Sequence, residues 1–237
     1  MTEPLYLEVF REEAGVKGFF STKYGANPGS PYDNPQVLKQ LGLEHMQMIW
    51  PEQVHKDHIE VIEKRGEGPV SLPNTDGLIT NVSGVLLTTV HADCLPVWFY
   101  DPEKRAIGLV HAGWRGTAAG IAAKAVGLLE QHYGSEPKTI LCSIGPGISA
   151  CCFEVGPEVY EIFKEKWAFA EEFAQRTGDT YKMDLKGLNC KQLTEAGILE
   201  DQIEISSHCT YCEPELFCSY RREGGTYLRM GAGICLL

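Results

Sequence analysis

The sequence predicts an α/β (α+β) fold in which mixed β-sheets are flanked by helices, within a single domain spanning residues 1–237. Three observations support this class. Many short apolar runs are rich in β-branched and aromatic residues, which is typical of strands. Longer segments with helical periodicity lie among them. No repeat, low-complexity tract or long Pro/Gly/Ser linker marks a domain boundary, although a split near residue 135 is the alternative.

The first half of the chain is predicted to form six strands. The segment 101–104, Asp-Pro-Glu-Lys, separates the last two and has the composition of a turn, so these two strands are expected to be neighbours. The six predicted strands are 16–20, 58–62, 77–80, 85–90, 95–100 and 106–110.

The most helical segment is Ala-rich and spans 117–133, with Thr117 as its N-cap and Gly134 as its C-terminal stop. A Gly-containing stretch therefore immediately precedes this helix. The remaining predicted elements are helices at 157–169 and 185–196, strands at 139–144 and 203–206, and a terminal β-hairpin around 223–225.

The chain is acidic, with a net charge of −11. This charge opposes contact with nucleic-acid phosphates and anionic membranes, so small molecules are the expected partners. The first residues lack a signal-peptide pattern, and no apolar run reaches the ~18 residues of a transmembrane helix. We therefore expect a cytoplasmic protein whose nine cysteines serve burial, metal binding or catalysis rather than a disulfide framework.

Cys94 and His111 flank two predicted neighbouring strands, Cys94 just before one and His111 just after the other. Their spacing is too long for a zinc-finger knuckle but fits ligands at adjacent strand ends. His55 is the favoured third ligand because it follows the turn-forming Pro51 close to the start of another strand, and His91 is the alternative. Two imidazoles and a thiolate suit Zn²⁺, with the fourth position left to water.

Two further groups have alternative interpretations. Arg115 either holds an anion above the N-terminus of the predicted helix or caps a neighbouring carboxylate. Cys209 and Cys212, with His208 and Cys218 nearby, form a C-x-x-C pair like half of a metal knuckle. Because only one such pair is present and a structural zinc needs four ligands, we interpret it as a buried thiol pair.

Six motifs follow one another along the chain: QVH (53–55), DGLIT (76–80), ADCLPV (92–97), HAGWRGTAAG (111–120), IGPGISACCFEVG (144–156) and CSYRREG (218–224). In this order they resemble the YfiH family, also called the laccase-domain or polyphenol oxidase family, whose members are described as purine nucleoside phosphorylases. HAGWRG joined to ADC is the most specific part. The resemblance extends from about residue 18 to the C-terminus.

The resemblance implies a single zinc ion bound by His55, Cys94 and His111, in a fold of mixed sheets flanked by helices. It also implies phosphorolysis of adenosine, inosine, guanosine and methylthioadenosine, together with adenosine deamination. The partners are then purine nucleosides and phosphate, for a monomer or small homo-oligomer. Three positions depart from the family pattern: Lys23 replaces an Arg, which removes a bidentate anion contact, Ala26 replaces a Gly, and His91 replaces a Thr before ADC.

Roles for individual residues follow as hypotheses. Phosphate is expected to bind basic residues and backbone donors, and deamination needs groups that move protons. Catalysis is assigned to His55, Cys94, His111, Asp93 and Arg115, phosphate binding to Lys23, Arg115 and Arg221 or Arg222, and proton transfer to Asp93, Asp76 or His91.

Three other functions are open alternatives. A copper-dependent polyphenol oxidase fits the older family name, but a trinuclear copper cluster needs more imidazoles than seven histidines supply. A thiol hydrolase acting on a peptidoglycan precursor would use Cys94 as nucleophile and His111 as base. A regulatory module would bind a nucleotide or a protein and hold zinc for structure alone. Descent from the known zinc nucleobase deaminases is disfavoured, because their H-x-E and P-C-x-x-C motifs are not paired here.

Overall fold

Two six-stranded sheets pack face to face at the centre of the structure, a computed structural model that describes residues 4–27, 32 and 34–237. The first sheet contains antiparallel and parallel pairs, and the last strand in chain order lies near its centre. Its strands, in spatial order, are β1 (Tyr6–Val9), β2 (Val16–Ser21), β15 (Met230–Leu236), β7 (Val85–His91), β3 (Gln47–Pro51) and β5 (Val70–Leu72).

The second sheet is also mixed, and a smaller third sheet is antiparallel. The second sheet has the order β14 (Ile203–Ile205), β10 (Leu141–Ile144), β8 (Leu95–Asp101), β9 (Ala106–Ala112), β6 (Gly77–Thr80) and β4 (Ile59–Ile62). The third contains β11 (Glu154–Val155), β13 (Thr180–Met183) and β12 (Ala174–Thr177). The α-helices are α1 (Pro35–Leu41), α2 (Trp114–Ala118), α3 (Ile121–Tyr133), α4 (Pro157–Lys166) and α5 (Leu185–Glu195), and short 3₁₀ turns lie at Pro137–Thr139, Ala170–Phe173 and Glu200–Gln202.

The two large sheets share one apolar core. Phe20 and Ile234 of the first sheet belong to the same buried cluster as Trp98 and Leu109 of the second. The indole of Trp98 donates to the carbonyl of Gly233 across the layers at 3.1 Å, so this large ring is buried with its N–H satisfied. Full burial of a Leu, Ile, Val or Phe side chain contributes about 1.5–3 kcal/mol, so the many such side chains in this cluster stabilise the packing of the two sheets.

Helices cover the outer faces. Alternate residues of a strand point to opposite sides, so Phe99 of β8 faces away from the inner core and packs with Leu129 of α3 and Leu188 of α5. On the other side, Val37 and Leu41 of α1 cover the first sheet. This arrangement of helix, sheet, sheet and helix confirms the predicted fold class. Within the described residues, no helix has the length and apolar character needed to cross a membrane.

The predicted helix at 117–133 is wrong at its start. Thr117 lies inside the short α2, and Gly120, with φ of 78°, separates α2 from α3. The indole of Trp167 donates to the carbonyl of Ala118 at 3.0 Å and packs where a Cβ on Gly120 would lie. A residue distant in sequence therefore fixes the break. Gly134 ends α3 in the left-handed conformation, as predicted.

The predicted terminal hairpin is also wrong. Residues around 223–225 form turns, and β15 pairs with β2 on one side and β7 on the other. In contrast, the strands predicted at 85–90, 95–100 and 106–110 are confirmed, and 101–104 connects the last two.

Candidate metal and active site

The antiparallel pairing of β8 and β9 brings the ADC and HAG segments together. Leu95 is the register partner of Ala112, so Cys94, immediately before β8, lies beside His111 near the end of β9. The predicted meeting of the two segments at neighbouring strand ends is confirmed.

One buried carboxylate, that of Asp76 just before β6, organises two of the three candidate ligands. Its oxygens accept hydrogen bonds from the backbone N–H groups of Val54, His55 and Lys56, at 3.2, 2.9 and 2.8 Å. These bonds hold His55 at a φ of 60°, a conformation that is costly for a residue with a Cβ. The same carboxylate accepts a hydrogen bond from Nδ1 of His111 at 2.9 Å, which leaves Nε2 as the candidate ligand atom.

The ligand atoms of His55, Cys94 and His111 lie within 4.8 Å of one another. Gly113 keeps the space beside them open, because a Cβ there would lie 3.1 Å from Cys94 Sγ and 3.3 Å from His55 Cδ2. Two imidazole nitrogens and a thiolate are a donor set that zinc prefers, and three protein ligands leave one position open. His55 is exposed and His111 is buried, so the trio is accessible from one side. These residues fit a single zinc ion.

Charge within the trio favours the metal-binding form of the thiol. Burial would raise the pKa of Cys94, but the positive charge of His111 and hydrogen bonds from His111 and His55 lower it to about 6. Burial would lower the pKa of His111, but the Cys94 thiolate and the Asp76 carboxylate raise it to about 9. Without metal, the pair is therefore a thiolate and an imidazolium at neutral pH.

His91, the alternative third ligand, lies behind the trio rather than in it. One ring nitrogen is bonded to the carbonyl of Cys94 at 3.0 Å and the other to the hydroxyl of Thr89 at 2.8 Å. The side chain is buried, and burial together with the charge of His111 places its pKa well below the ordinary value. A neutral ring with both nitrogens engaged supports the ADC turn and has no free nitrogen for proton transfer.

Asp93 joins three segments at the cavity. Its backbone has a φ of 86°, and its carbonyl accepts the N–H of Ile148 at 2.8 Å. One carboxylate oxygen accepts the hydroxyl of Thr210 and the other the backbone N–H of Arg221, each at 2.7 Å. Both oxygens of this predicted proton carrier are therefore engaged by the protein.

The trio lines a cavity of about 730 Å³, a volume within the range of small-molecule sites. Three arginines also line it, and each guanidinium lies near an aromatic ring. The guanidinium of Arg115 has no hydrogen-bond partner among the residues that the structure describes, whereas that of Arg221 donates to the carbonyl of Glu154 at 2.8 Å. The guanidinium-to-ring distances are 4.1 Å for Arg115 and Trp114, 5.5 Å for Arg221 and Phe153, and 5.9 Å for Arg229 and Tyr220.

Two residues predicted to bind phosphate lie outside this lining. The ammonium of Lys23 donates to the carbonyl of Pro214 at 2.6 Å, so its charge stabilises a loop instead. The guanidinium of Arg222 donates to the carbonyls of Phe217 and Tyr211 at 2.7 and 3.0 Å. Neither side chain is therefore among the described residues that line the cavity with the trio.

Sequence reasoning missed several lining residues. Trp114 and Tyr220 lie inside the HAGWRG and CSYRREG motifs, so their position within a motif was the available signal. Arg229 lies outside every motif, and only the tertiary fold brings it to the cavity.

Residues 23–237 match the model of a family described as multi-copper polyphenol oxidoreductase laccase. The chain is 40% identical to purine nucleoside phosphorylase YlmD of Geobacillus stearothermophilus, over 93% of this chain and 90% of that protein. It is 34% identical to adenosine deaminase RL5 of an unknown prokaryotic organism, over 84% of this chain and 78% of that one. The crystal structure of the hypothetical protein YfiH of Bacillus licheniformis matches with a TM-score of 0.92 at 32% identity, covering 99% of this chain and 97% of that chain. The YfiH resemblance carried by the six motifs is confirmed.

Proposed function

Because this chain belongs to the family described as multi-copper polyphenol oxidoreductase laccase, whose relatives include enzymes named for nucleoside chemistry, we propose that it is a zinc-dependent purine nucleoside phosphorylase. Its substrates are adenosine, inosine, guanosine and methylthioadenosine, and it also deaminates adenosine. One observation carries the proposal: the donor atoms of His55, Cys94 and His111 converge at a cavity that is also lined by arginines and aromatic rings.

His55, Cys94 and His111 would hold the zinc ion. When bound, zinc supplies a Lewis acid that polarises the substrate. Asp76 positions this set, since it bonds to both the His111 ring and the backbone of His55. Its role is to orient ligands, not to touch substrate.

The arginines provide the phosphate site. Phosphorolysis needs phosphate held beside C1′ of the ribose and a positive environment for the charge that moves to the purine. Arg115 is the main candidate because its guanidinium stacks on Trp114 and has no hydrogen bond to the described residues. Arg221 and Arg229 extend the positive surface around the same cavity. The aromatic rings beside them offer flat, apolar surfaces for the purine and ribose.

Asp93 is assigned a positioning role in this mechanism. It is the one acidic residue in the described lining of the cavity, and both of its carboxylate oxygens accept hydrogen bonds from other segments. Its contribution is to fix the backbone at Arg221 and the turn before Cys94.

A thiol hydrolase is the second candidate, because a specific arrangement favours it. Cys94, His111 and Asp76 form a chain of interactions with a thiolate, an imidazolium and a buried carboxylate, as in a nucleophilic triad. Such an enzyme would use Cys94 without a metal. A copper oxidase receives less support, since the trio is the only ligand cluster in the described residues that contains imidazole.

The test is to incubate adenosine, inosine and methylthioadenosine with purified, metal-quantified protein, with and without phosphate, and to separate the products by chromatography. The proposal expects phosphate-dependent release of free base, and inosine from adenosine, both lost in His111→Ala. Release of neither base nor ammonia by zinc-loaded protein would refute it. If metal-free protein keeps full turnover and Cys94→Ala loses it, a metal-independent thiol mechanism such as that of the hydrolase would be supported instead.

A further inference from the structure

A second group of thiols lies outside the cavity, where two segments distant in sequence meet. Cys151 and Cys152 lie in the loop between β10 and β11, and Cys209 and Cys212 lie in the segment after β14. The four sulfur atoms all lie within 4.8 Å of one another. The separations are 3.8 Å for Cys151 and Cys209, 3.7 Å for Cys151 and Cys212, and 3.3 Å for Cys152 and Cys212.

These separations are close to those of thiolates around one metal ion. With Zn–S bonds of about 2.3 Å, tetrahedral geometry places neighbouring sulfurs about 3.8 Å apart. A disulfide requires about 2 Å, so the sulfurs of the measured pairs are not bonded to each other. Sulfurs on the corners of a larger iron–sulfur cluster would lie farther apart than the measured pairs. We propose that Cys151, Cys152, Cys209 and Cys212 bind a second zinc ion, which has a structural role.

Burial argues against simple packing of these thiols. Cys151 and Cys212 are exposed, Cys152 is partly buried and only Cys209 is buried, whereas a cysteine that serves as a small apolar side chain is normally inside. The interpretation of Cys209 and Cys212 as a buried pair is therefore wrong for Cys212. The sequence argument against a metal knuckle was the shortage of ligands, and the fold supplies the missing two.

The backbone around Cys209 is arranged as in a zinc knuckle. The N–H of Cys212 donates to the carbonyl of Cys209 at 3.1 Å, which closes a tight turn over the C-x-x-C pair. The N–H of Ser149 donates to Cys209 Sγ at 3.4 Å, a contact that favours the thiolate. The N–H of Thr210 bonds to the carbonyl of Gly147 at 3.1 Å, so the two loops already lie in register without metal.

A buried cation lies next to the cluster and offsets its charge. Four thiolates and one Zn²⁺ carry a net charge of −2. The ammonium of Lys186 is buried and donates to the carbonyls of Ser206 and His208, both at 2.7 Å, close to the start of the C-x-x-C segment. His208 is not a fifth candidate, because its ring nitrogens are not among the ligand atoms that converge at this cluster in the described residues. Binding of zinc would release the four thiol protons to solvent and needs no oxidant or reductant.

The proposed ion would fix one wall of the catalytic cavity. The first loop contains Ile148 and leads to Phe153, and the segment after the second leads to Tyr220 and Arg221, all of which line the cavity. Arg221 already bridges the two segments through the carbonyl of Glu154. A metal that clamps both loops would hold Phe153 and Arg221 at a constant distance from the His/Cys trio.

The first test is the zinc content of the full-length chain purified under reducing conditions. We expect two zinc ions per chain in the unmodified protein and one in His111→Ala. X-ray absorption of that remaining zinc should give four sulfur ligands at about 2.3 Å. Zinc with nitrogen or oxygen ligands in His111→Ala, iron in place of zinc, or a metal-free disulfide between these cysteines would each overturn the proposal.

Variants of the cluster complete the test. Cys212→Ser should reduce the zinc content to one ion per chain, whereas Cys212→His, which keeps a ligand, should retain two. Cys190→Ser, a thiol of α5 outside both clusters, is the matched control and should retain two. If Cys212→Ser is poorly folded, Co²⁺ substitution of the unmodified chain gives the answer through the intense sulfur-to-cobalt absorption of a four-thiolate site, and its absence would refute the proposal.

The two proposed metal sites fail independently. One zinc per chain that is lost in His111→Ala would leave the proposed function standing and remove the second site. One zinc that is retained in His111→Ala and lost in Cys212→Ser would support the second site and remove the proposed zinc-dependent function of the trio.

Discussion

The carboxylate of Asp76 lies 2.9 Å from Nδ1 of His111, and both side chains are almost completely buried. Through its other bonds the same carboxylate fixes the backbone of the loop that carries His55. Two candidate ligands from different parts of the chain therefore depend on one residue that is not itself part of the candidate ligand group.

Asp76→Asn should weaken zinc binding at the trio by about 10- to 100-fold, because the His111 ring loses its anionic partner and the His55 loop loses one of its two acceptor oxygens. The measurement is competition with a zinc chelator of known affinity. Asp57→Asn removes an exposed carboxylate paired with Lys124 and is the control, for which no change is expected. Unchanged zinc affinity in folded Asp76→Asn would contradict this role.

Gly113→Ala should reduce zinc binding at the trio while the sheet remains folded, because the added Cβ would lie 3.1 Å from Cys94 Sγ. Zinc content and thermal unfolding would be measured together. Gly127→Ala is the matched control, since a Cβ on this exposed position of α3 meets no atom within 4 Å. That control should keep its zinc and gain about 0.5–1 kcal/mol of stability from helix propensity. Normal zinc content in Gly113→Ala would show that the space beside the ligands is not limiting.

In metal-free protein, alkylation of Cys94 by iodoacetamide should slow as the pH falls through about 6, instead of near the ordinary thiol value. The depressed pKa of Cys94 means that its contribution to stability is present above the ordinary thiol pKa and is lost as the pH falls toward 6. The raised pKa of His111 acts in the opposite direction, with a contribution present below 6.5 and lost as the pH rises through about 9. Mass spectrometry of the Cys94 peptide gives the rate, and a midpoint above pH 8 would exclude the thiolate–imidazolium pair.

Arg115→Ala should raise the KM for phosphate by about tenfold or more, equivalent to about 1.4 kcal/mol of lost binding. Arg115→Lys should give a smaller rise, because charge is kept and the bidentate fork is lost. The readout is initial rate against phosphate concentration at saturating nucleoside. Arg176→Ala, an exposed residue of β12 outside the cavity, should leave the phosphate KM unchanged. Equal values for Arg115→Ala and the control would move the phosphate site to Arg221 and Arg229.

The sequence was most informative where local pattern and tertiary structure agree. The neighbouring strands β8 and β9 could be predicted because each has an apolar run and a four-residue turn joins them, and this pairing alone brings Cys94 to His111. His55 was favoured by its place after Pro51 and then by the motifs, but its approach depends on the distant carboxylate of Asp76 and could not be predicted from periodicity.

The errors have a common physical cause, which is contact between residues far apart in sequence. The helix break at Gly120 is set by Trp167, and the terminal strand pairs with β2 and β7 instead of its sequence neighbours. The approach of Cys151 to Cys212 joins loops 61 positions apart. Such contacts have no local sequence signal, so they could not be predicted from composition and spacing alone.

The position of β15 has a consequence for how the protein is made. This strand lies between β2 and β7, and both emerge from the ribosome well before Met230 is translated. Until then, β2 and β7 each have an unpaired edge at the place where β15 will later bind. Unpaired strand edges tend to pair with strands of other molecules. A premature stop codon upstream of Met230 should therefore yield an aggregating chain rather than a folded protein of lower stability, and the nascent protein should depend on chaperones until β15 is released.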